Sequence, residues 1–302
     1  MNKLKLTFVV ATKDRPDELR RLLKSLEIQT RPPDEVLVVD GGAAPVREAA
    51  MGCRGLQVRY LRSLPPSATR QRNTGIQAVH PDHDLIGILD DDCVLAREAC
   101  EEMRRFWETA SADVGGASFN LVNFLPVFAS GLKHLWLAER IGLYSRMQGT
   151  VLPSGFQVMF TEFEEGTPVQ WLPSTASVWR QEVFQMFQFD EWYAGYSYLE
   201  DLDFSYQVGK NYKLVVVADA KYYHYPSPRG RLGGYDFGQR EVANRLHFVR
   251  KHKELSVAKC YLALTIRICL SLVLAVRERR AGYLRRILGN LVGLVNSFAG
   301  GR

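Results

Sequence analysis

The sequence is poor in the features that most simply type a protein. Its five cysteines, Cys53, Cys93, Cys100, Cys260 and Cys269, are odd in number, scattered and without a CxxC pair. Neither a zinc site nor a disulfide framework is therefore expected, and a reducing compartment fits best. No internal repeat or low-complexity linker interrupts the 302 residues, which excludes solenoid and disordered classes. The apolar run behind Met1-Asn-Lys-Leu-Lys stops at Lys13 and Asp14, too short for the core of a signal peptide, so the N-terminus is expected to stay cytosolic. Near the C-terminus, Arg267 separates the charge-free apolar stretches 260–266 and 268–276. Neither reaches the ~20 residues that a spanning helix needs.

An excess of positive charge is also missing from most of the chain. The net charge is +6, but residues 1–229 hold 25 Lys+Arg against 29 Asp+Glu, while residues 230–302 hold 14 against 4. An acidic body, residues 1–229, is expected to join a basic helical segment, residues 230–302. The Pro226–Gly234 cluster of chain breakers supports that boundary.

What is present alternates. Leu4–Ala11 is β-branched and apolar, and Pro16–Leu26 repeats leucine at helical spacing. Glu35–Val39, Leu56–Leu61, Leu85–Leu89 and Leu214–Ala218 read as further strands, and Asn73–Val79 as a short helix. Strands that alternate with helices and end in polar residues imply an α/β fold, a mostly parallel sheet whose ligands gather at the strands' carboxyl ends. From Tyr235 onward the pattern is helical.

Several polar clusters can carry chemistry. Asp90-Asp91-Asp92 follows an apolar strand directly. Three adjacent carboxylates need a compensating cation, and Mg²⁺ or Mn²⁺ suits hard oxygen donors and substrate phosphates; a solvated acidic turn is the plainer reading. Glu200 and Asp201 open a helix, where capping explains one acid and a proton acceptor for a hydroxyl explains another. Arg70 and Arg72 are suited to clamping phosphate or to lying exposed at a helix start. Asp40 ends a strand before Gly41-Gly42, as a nucleoside reader or a turn aspartate. His224 is a candidate third metal ligand or a packed ring, and Trp171 a sugar-stacking face or core.

In order, the segments VVATKDRPDELRRLLKSL, EVLVVDGG, RQRNTGI, ILDDDC, WLPSTASVWRQEVF and YLEDLDFSYQVGKNYKLVVVADAKYYHY resemble glycosyltransferase family 2, over roughly residues 4–226. The resemblance implies a GT-A fold, a mostly parallel sheet flanked by helices and followed here by the C-terminal helical segment. It implies an inverting, metal-dependent transfer of a sugar, hexosyl or deoxyhexosyl, from a nucleotide-diphosphate donor (UDP-, dTDP- or GDP-linked) to an acceptor hydroxyl in glycan or polysaccharide synthesis. By this resemblance Thr12, Arg15, Asp40, Arg72 and Asp91 hold the nucleotide, Asp92 and His224 the Mg²⁺ or Mn²⁺, Asp201 is the general base, and Glu200 with Trp171 faces the acceptor. The QxxRW element of processive members is absent, which implies transfer of one or a few sugars. A sugar nucleotidyltransferase is the alternative, although Ala11-Thr-Lys-Asp-Arg15 lacks the glycines of its phosphate loop; a non-catalytic scaffold of the same fold is the third.

The C-terminal segment alternates arginines, as at Arg277-Glu-Arg-Arg280 and Arg285-Arg286, with long aliphatic stretches. That pattern fits lipid headgroups or a partner subunit better than nucleic acid. Residues 235–302 are expected either to lie on the inner face of the cell membrane, suiting a lipid-linked glycan acceptor, or to pack on their own domain or a second copy. A cytoplasmic location is expected in each case.

Overall fold

The computed structural model describes residues 4–123, 139, 142, 144–159, 162–227, 229, 231–278 and 281–299. The chain forms two compact units, Met1–Pro126 with Phe160–Gly230, and Val127–Met159 with Arg231–Arg302.

Among the described residues of the first unit, nine strands form one sheet. They are β1 (Leu6–Thr12), β2 (Glu35–Asp40), β3 (Val58–Arg62), β4 (Leu85–Asp90), β5 (Cys93–Leu95), β6 (Val114–Leu121), β7 (Thr167–Val169), β8 (Ala176–Arg180) and β9 (Lys213–His224). Their order is β3-β2-β1-β4-β8-β6-β9-β5, with β7 on β9. Strands β1 to β4 pair in parallel, as do β6 and β9, while β8 runs antiparallel between β4 and β6. The helices of this unit are α1 (Pro16–Glu27), α2 (Arg47–Met51), α3 (Ala68–Gln77), α4 (Ala99–Thr109), α5 (Val183–Met186) and α6 (Glu200–Val208). The expected fold class, a mostly parallel sheet flanked by helices, is what the chain adopts.

Both faces of the sheet are covered, which is why its inner strands read as unbroken apolar runs. Side chains alternate along a strand, so Leu6, Phe8 and Val10 of β1 enter one core with Leu19, Leu22 and Leu26 of α1. Val9 enters the other with Val39, Ile88, Trp179 and Phe204. Helix α1 starts well because Pro16 occupies its first turn, followed by Asp17 and Glu18 on the positive end of the helix dipole.

Two elements differ from the sequence expectation. The third strand lies at Val58–Arg62, and α3 begins at Ala68 rather than at Asn73. The early turns of α3 escape an apolar-periodicity reading because the side they bury is polar: Thr69, Gln71, Arg72 and Asn73. Gly75 completes the contact, since a Cβ there would stand 2.3 Å from Val9 Cγ1.

The sheet order places a switch point at β1, with β2 on one side and β4 on the other. Register sets Thr12 opposite Asp40 and Ala11 opposite Asp90, so the strand ends that carry polar residues lie level. A crevice at such a point is where open α/β sheets bind ligands.

The second unit contains α7 (Gly234–Lys251), α8 (Val257–Glu278) and α9 (Ala281–Ala299). Helices α7 and α9 touch backbone to backbone, because a Cβ on Gly238 would meet Arg286 O at 2.3 Å and one on Gly289 would meet Tyr235 O at 2.0 Å. Helix α8 corrects the expectation that Arg267 divides two short apolar stretches. It runs unbroken, and the 21-residue stretch Val257–Arg277, which holds a window of mean hydropathy 1.9, is long and apolar enough to cross a membrane by length and composition. Arg267 does not interrupt it because its guanidinium turns inward to Glu241, 2.8 Å away.

Candidate active site

The site is assembled from strand ends. Thr12 closes β1, Asp40 closes β2, Asp90 closes β4 with Asp91 and Asp92 in the turn behind it, and His224 closes β9. Glu200 and Asp201 open α6, and Leu199 immediately before them has a left-handed φ of 74°. A leucine held there costs about 1–2 kcal/mol, and it stands where the chain turns into the two carboxylates.

Asp91 is buried and accepts from Thr12 Oγ1 at 2.8 Å and from Arg15 Nη1 at 3.0 Å. Burial dominates over these partners and pushes its carboxyl up to about 7. Asp92 meets the opposite outcome. Burial raises it, but His224 Nε2 at 3.0 Å, the Ser227 amide at 3.0 Å and nearby Arg15 outweigh burial and hold it below the ordinary range. The strand pairing that sets Cys93 opposite His224 brings these two groups together.

Asp92, Cys93 and His224 offer one donor atom each within 4.8 Å of one another. The thiol is the poor member, because burial pushes it well up and it donates to Thr175 O at 3.2 Å. That leaves a carboxylate oxygen and an imidazole nitrogen, a donor pair that fits Mg²⁺ or Mn²⁺.

Arg72 is 3% exposed and bridges two elements: Nη2 reaches Asp90 Oδ1 at 2.9 Å and Nη1 reaches Glu200 Oε1 at 2.6 Å. It thus ties the acidic end of β4 to the acidic start of α6. Both of its terminal nitrogens, expected to hold a nucleotide, donate here to carboxylates of the chain. Burial pushes both Glu200 and Asp201 up, with Arg72 opposing. Asp201 Oδ1 takes the Leu202 amide at 2.8 Å.

Asp40 is likewise engaged by its own chain. Its oxygens accept from the amides of Gly42 at 2.7 Å and Val46 at 3.0 Å, from Tyr60 OH at 2.6 Å and from Arg62 at 2.7 Å. Burial raises this carboxyl, and those four donors more than offset it. Trp171, expected as a stacking face, is 2% exposed, so no face of its indole is open to a sugar ring; its packing in the core covers it.

The structure adds residues that sequence reasoning missed. Ser227 joins the site through its amide to Asp92 and its hydroxyl to Glu18 Oε1 at 2.7 Å, and the Arg229 carbonyl accepts from Arg15 at 2.5 Å. Tyr60 and Arg62 stand two apart on β3 and so share a face, which was the one available sequence signal for them. The stretch 119–165 lies partly outside the described residues, as do Pro228 and Gly230 of the breaker cluster.

Comparison with known proteins sharpens this geometry. The family model for glycosyl transferase family 2 matches residues 7–152. A mannosyltransferase, PcManGT from Pyrobaculum calidifontis, crystallised with GDP-Man and Mn²⁺, superposes at a TM-score of 0.57 with 14% identity, covering 97% of this chain and 88% of that one. TarS 1-349 from S. aureus in complex with UDP-GlcNAc gives 0.55 and 15%, covering 98% and 92%. The same fragment without a named ligand gives 0.56 and 16%, covering 86% and 71%. At such identities the likeness establishes a shared GT-A fold. Among curated proteins, none matches the chain in sequence.

Proposed function

We propose, from the place of residues 7–152 in glycosyltransferase family 2 and the GT-A sheet beneath the site, that the protein transfers a sugar from a nucleotide-diphosphate donor to an acceptor hydroxyl. Family and fold support glycosyl transfer; inversion, metal use and non-processive transfer are our finer reading. The observation that carries it is the Arg72 bridge, because it ties the acidic end of β4 to the helix-borne carboxylates of α6.

Asp92 and His224 would hold a divalent cation, which when bound neutralises charge on the leaving diphosphate. Arg15, beside Asp91 and Asp92 and partly open to solvent, supplies a fixed positive charge toward the same group. Thr12 and Asp40 sit at the level of the nucleoside, Asp40 also fixing the 41–46 turn. Asp201, its Oδ1 fixed by the Leu202 amide, accepts the proton of the acceptor hydroxyl as that oxygen bonds the anomeric carbon and the carbon–oxygen bond to the diphosphate breaks. Attack from the face opposite the leaving group inverts the anomeric centre without a covalent enzyme intermediate. Glu200, locked to Arg72, orients the start of α6 toward the acceptor, which we take to be a glycan or lipid-linked glycan.

A panel of UDP-, dTDP- and GDP-sugars with Mn²⁺ or Mg²⁺ tests the reading. One donor is expected to release its nucleoside diphosphate only with metal, and Asp92→Ala is expected to lower that release by about 10²-fold or more. Turnover of a nucleoside triphosphate and a sugar 1-phosphate to a nucleotide sugar and pyrophosphate, with no nucleoside diphosphate released from any nucleotide sugar, would instead identify a nucleotidyltransferase.

A further inference from the structure

In the second unit, α8 and α9 turn apolar side chains outward while an ion cluster lies within. The exposed positions of α8 are Ala258, Leu262, Thr265, Cys269, Leu272, Val273, Val276 and Arg277. Steps of three and four residues place the first seven on one stripe, and none of them is charged. Helix α9 repeats the pattern with Leu284, Leu288, Leu291, Val295 and Phe298, exposed by 46 to 70%. Among the buried apolar side chains, such as Leu246, Leu264 and Ile287, lies a polar cluster: Glu241 of α7, 0% exposed, is met by Arg267 at 2.8 Å, by Arg286 at 2.8 Å and by Asn290 at 3.1 Å, and Ser271 is 4% exposed.

A water-facing helix pair shows the opposite order, apolar within and charged without. Apolar surface outward with paired charges inward is the arrangement that lipid selects. Packing agrees, since Gly234-x-x-x-Gly238 and Gly289-x-x-x-Gly293 form the close α7/α9 contact in the small-residue mode used where neighbours are as apolar as lipid. The stripes of α8 and α9 are neighbours, with Tyr261 stacked on Phe298 at 4.8 Å.

We infer that the joint outer face of α8 and α9 seats in the headgroup-proximal layer of an anionic bilayer, with both helices in the membrane plane. Three observations select this occupant over a spanning helix or a second copy. The ion cluster on Glu241 holds α8 against α7 and α9, so α8 is not free to cross alone. Arg277 and Arg285 are exposed beside the stripes, and Lys251 and Lys253 are exposed before α8, as anionic headgroups require. The segment 230–302 carries 14 basic against 4 acidic residues, a charge that opposes pairing with a copy of itself. The inference does not depend on the transfer chemistry.

The test uses the full chain with vesicles of phosphatidylcholine, alone or mixed with phosphatidylglycerol. The protein is expected to float with the anionic vesicles, and Arg277→Gln and Arg285→Gln to weaken that binding about fivefold each. Val273→Glu with Leu288→Glu, both surface positions that leave folding intact by circular dichroism, is expected to weaken it about tenfold or more. A polarity-sensitive dye on exposed Cys269 is expected to be quenched more by lipid labels near the headgroup than by labels at the chain end. Strongest quenching at the chain end would overturn the in-plane seating. Absence of vesicle binding, with a stable dimer that the Glu variants dissociate, would overturn the membrane itself.

Discussion

At the scale of single residues, neighbouring carboxylates are driven apart by their surroundings. Asp91 and Asp92 are adjacent, yet burial lifts Asp91 to about 7 while His224 and two fixed donors keep Asp92 low. A low, ionised Asp92 beside an imidazole is the state a divalent cation needs. His224→Ala is therefore expected to raise the Mn²⁺ concentration for half-maximal turnover by about tenfold or more, with turnover at saturating Mn²⁺ less affected; a metal titration of the rate checks it. The acidic triplet, the strand ends and the helix-borne acids were legible in the sequence because apolar runs stop abruptly at them. Ser227 was not, since nothing in a breaker cluster marks which amide will face a carboxylate. Trp171 was misjudged for a related reason: an aromatic beside small hydroxyl residues looks the same whether its ring is open or packed.

At the scale of elements, Arg72 does the joining. It connects α3, β4 and α6 through a buried ion pair with Glu200 and a part-buried one with Asp90, and removing it would leave Glu200 without its counter-charge in a dry setting. Arg72→Met is expected to destabilise the protein by about 3–5 kcal/mol in urea unfolding, and Arg72→Lys to recover only part of that, because a single ammonium cannot form the fork. The helix bearing Arg72 was the element least visible in sequence, since it buries Thr69, Gln71, Arg72 and Asn73 where a periodicity reading looks for apolar residues. The same mistake of sign occurred in α8, where Arg267 looked like a break in an apolar run and is instead its inward-facing anchor.

At the scale of the whole molecule, the charge arithmetic proved more informative than the net figure. The acidic excess belongs to residues whose sheet gathers carboxylates at its strand ends, and the basic excess to the segment whose helices face outward with aliphatic side chains. Fold class was readable because alternating strands and helices leave few topologies. The inclusion of Val127–Met159 in the second unit was not, because long-range packing leaves no local pattern. The central claim is that Asp201 removes the acceptor's proton during sugar transfer. Its most direct test is the rate of transfer from the preferred donor as a function of pH, for the wild-type chain and Asp201→Asn. Burial raises the Asp201 carboxyl above its ordinary 3.8, and the base works only when ionised, so the wild-type rate should climb with pH through a midpoint above that value. Asp201→Asn should lose about 10²–10⁴-fold in turnover and that acid limb with it, while still binding donor. A variant that turns over at the wild-type rate with the same pH profile would contradict the account.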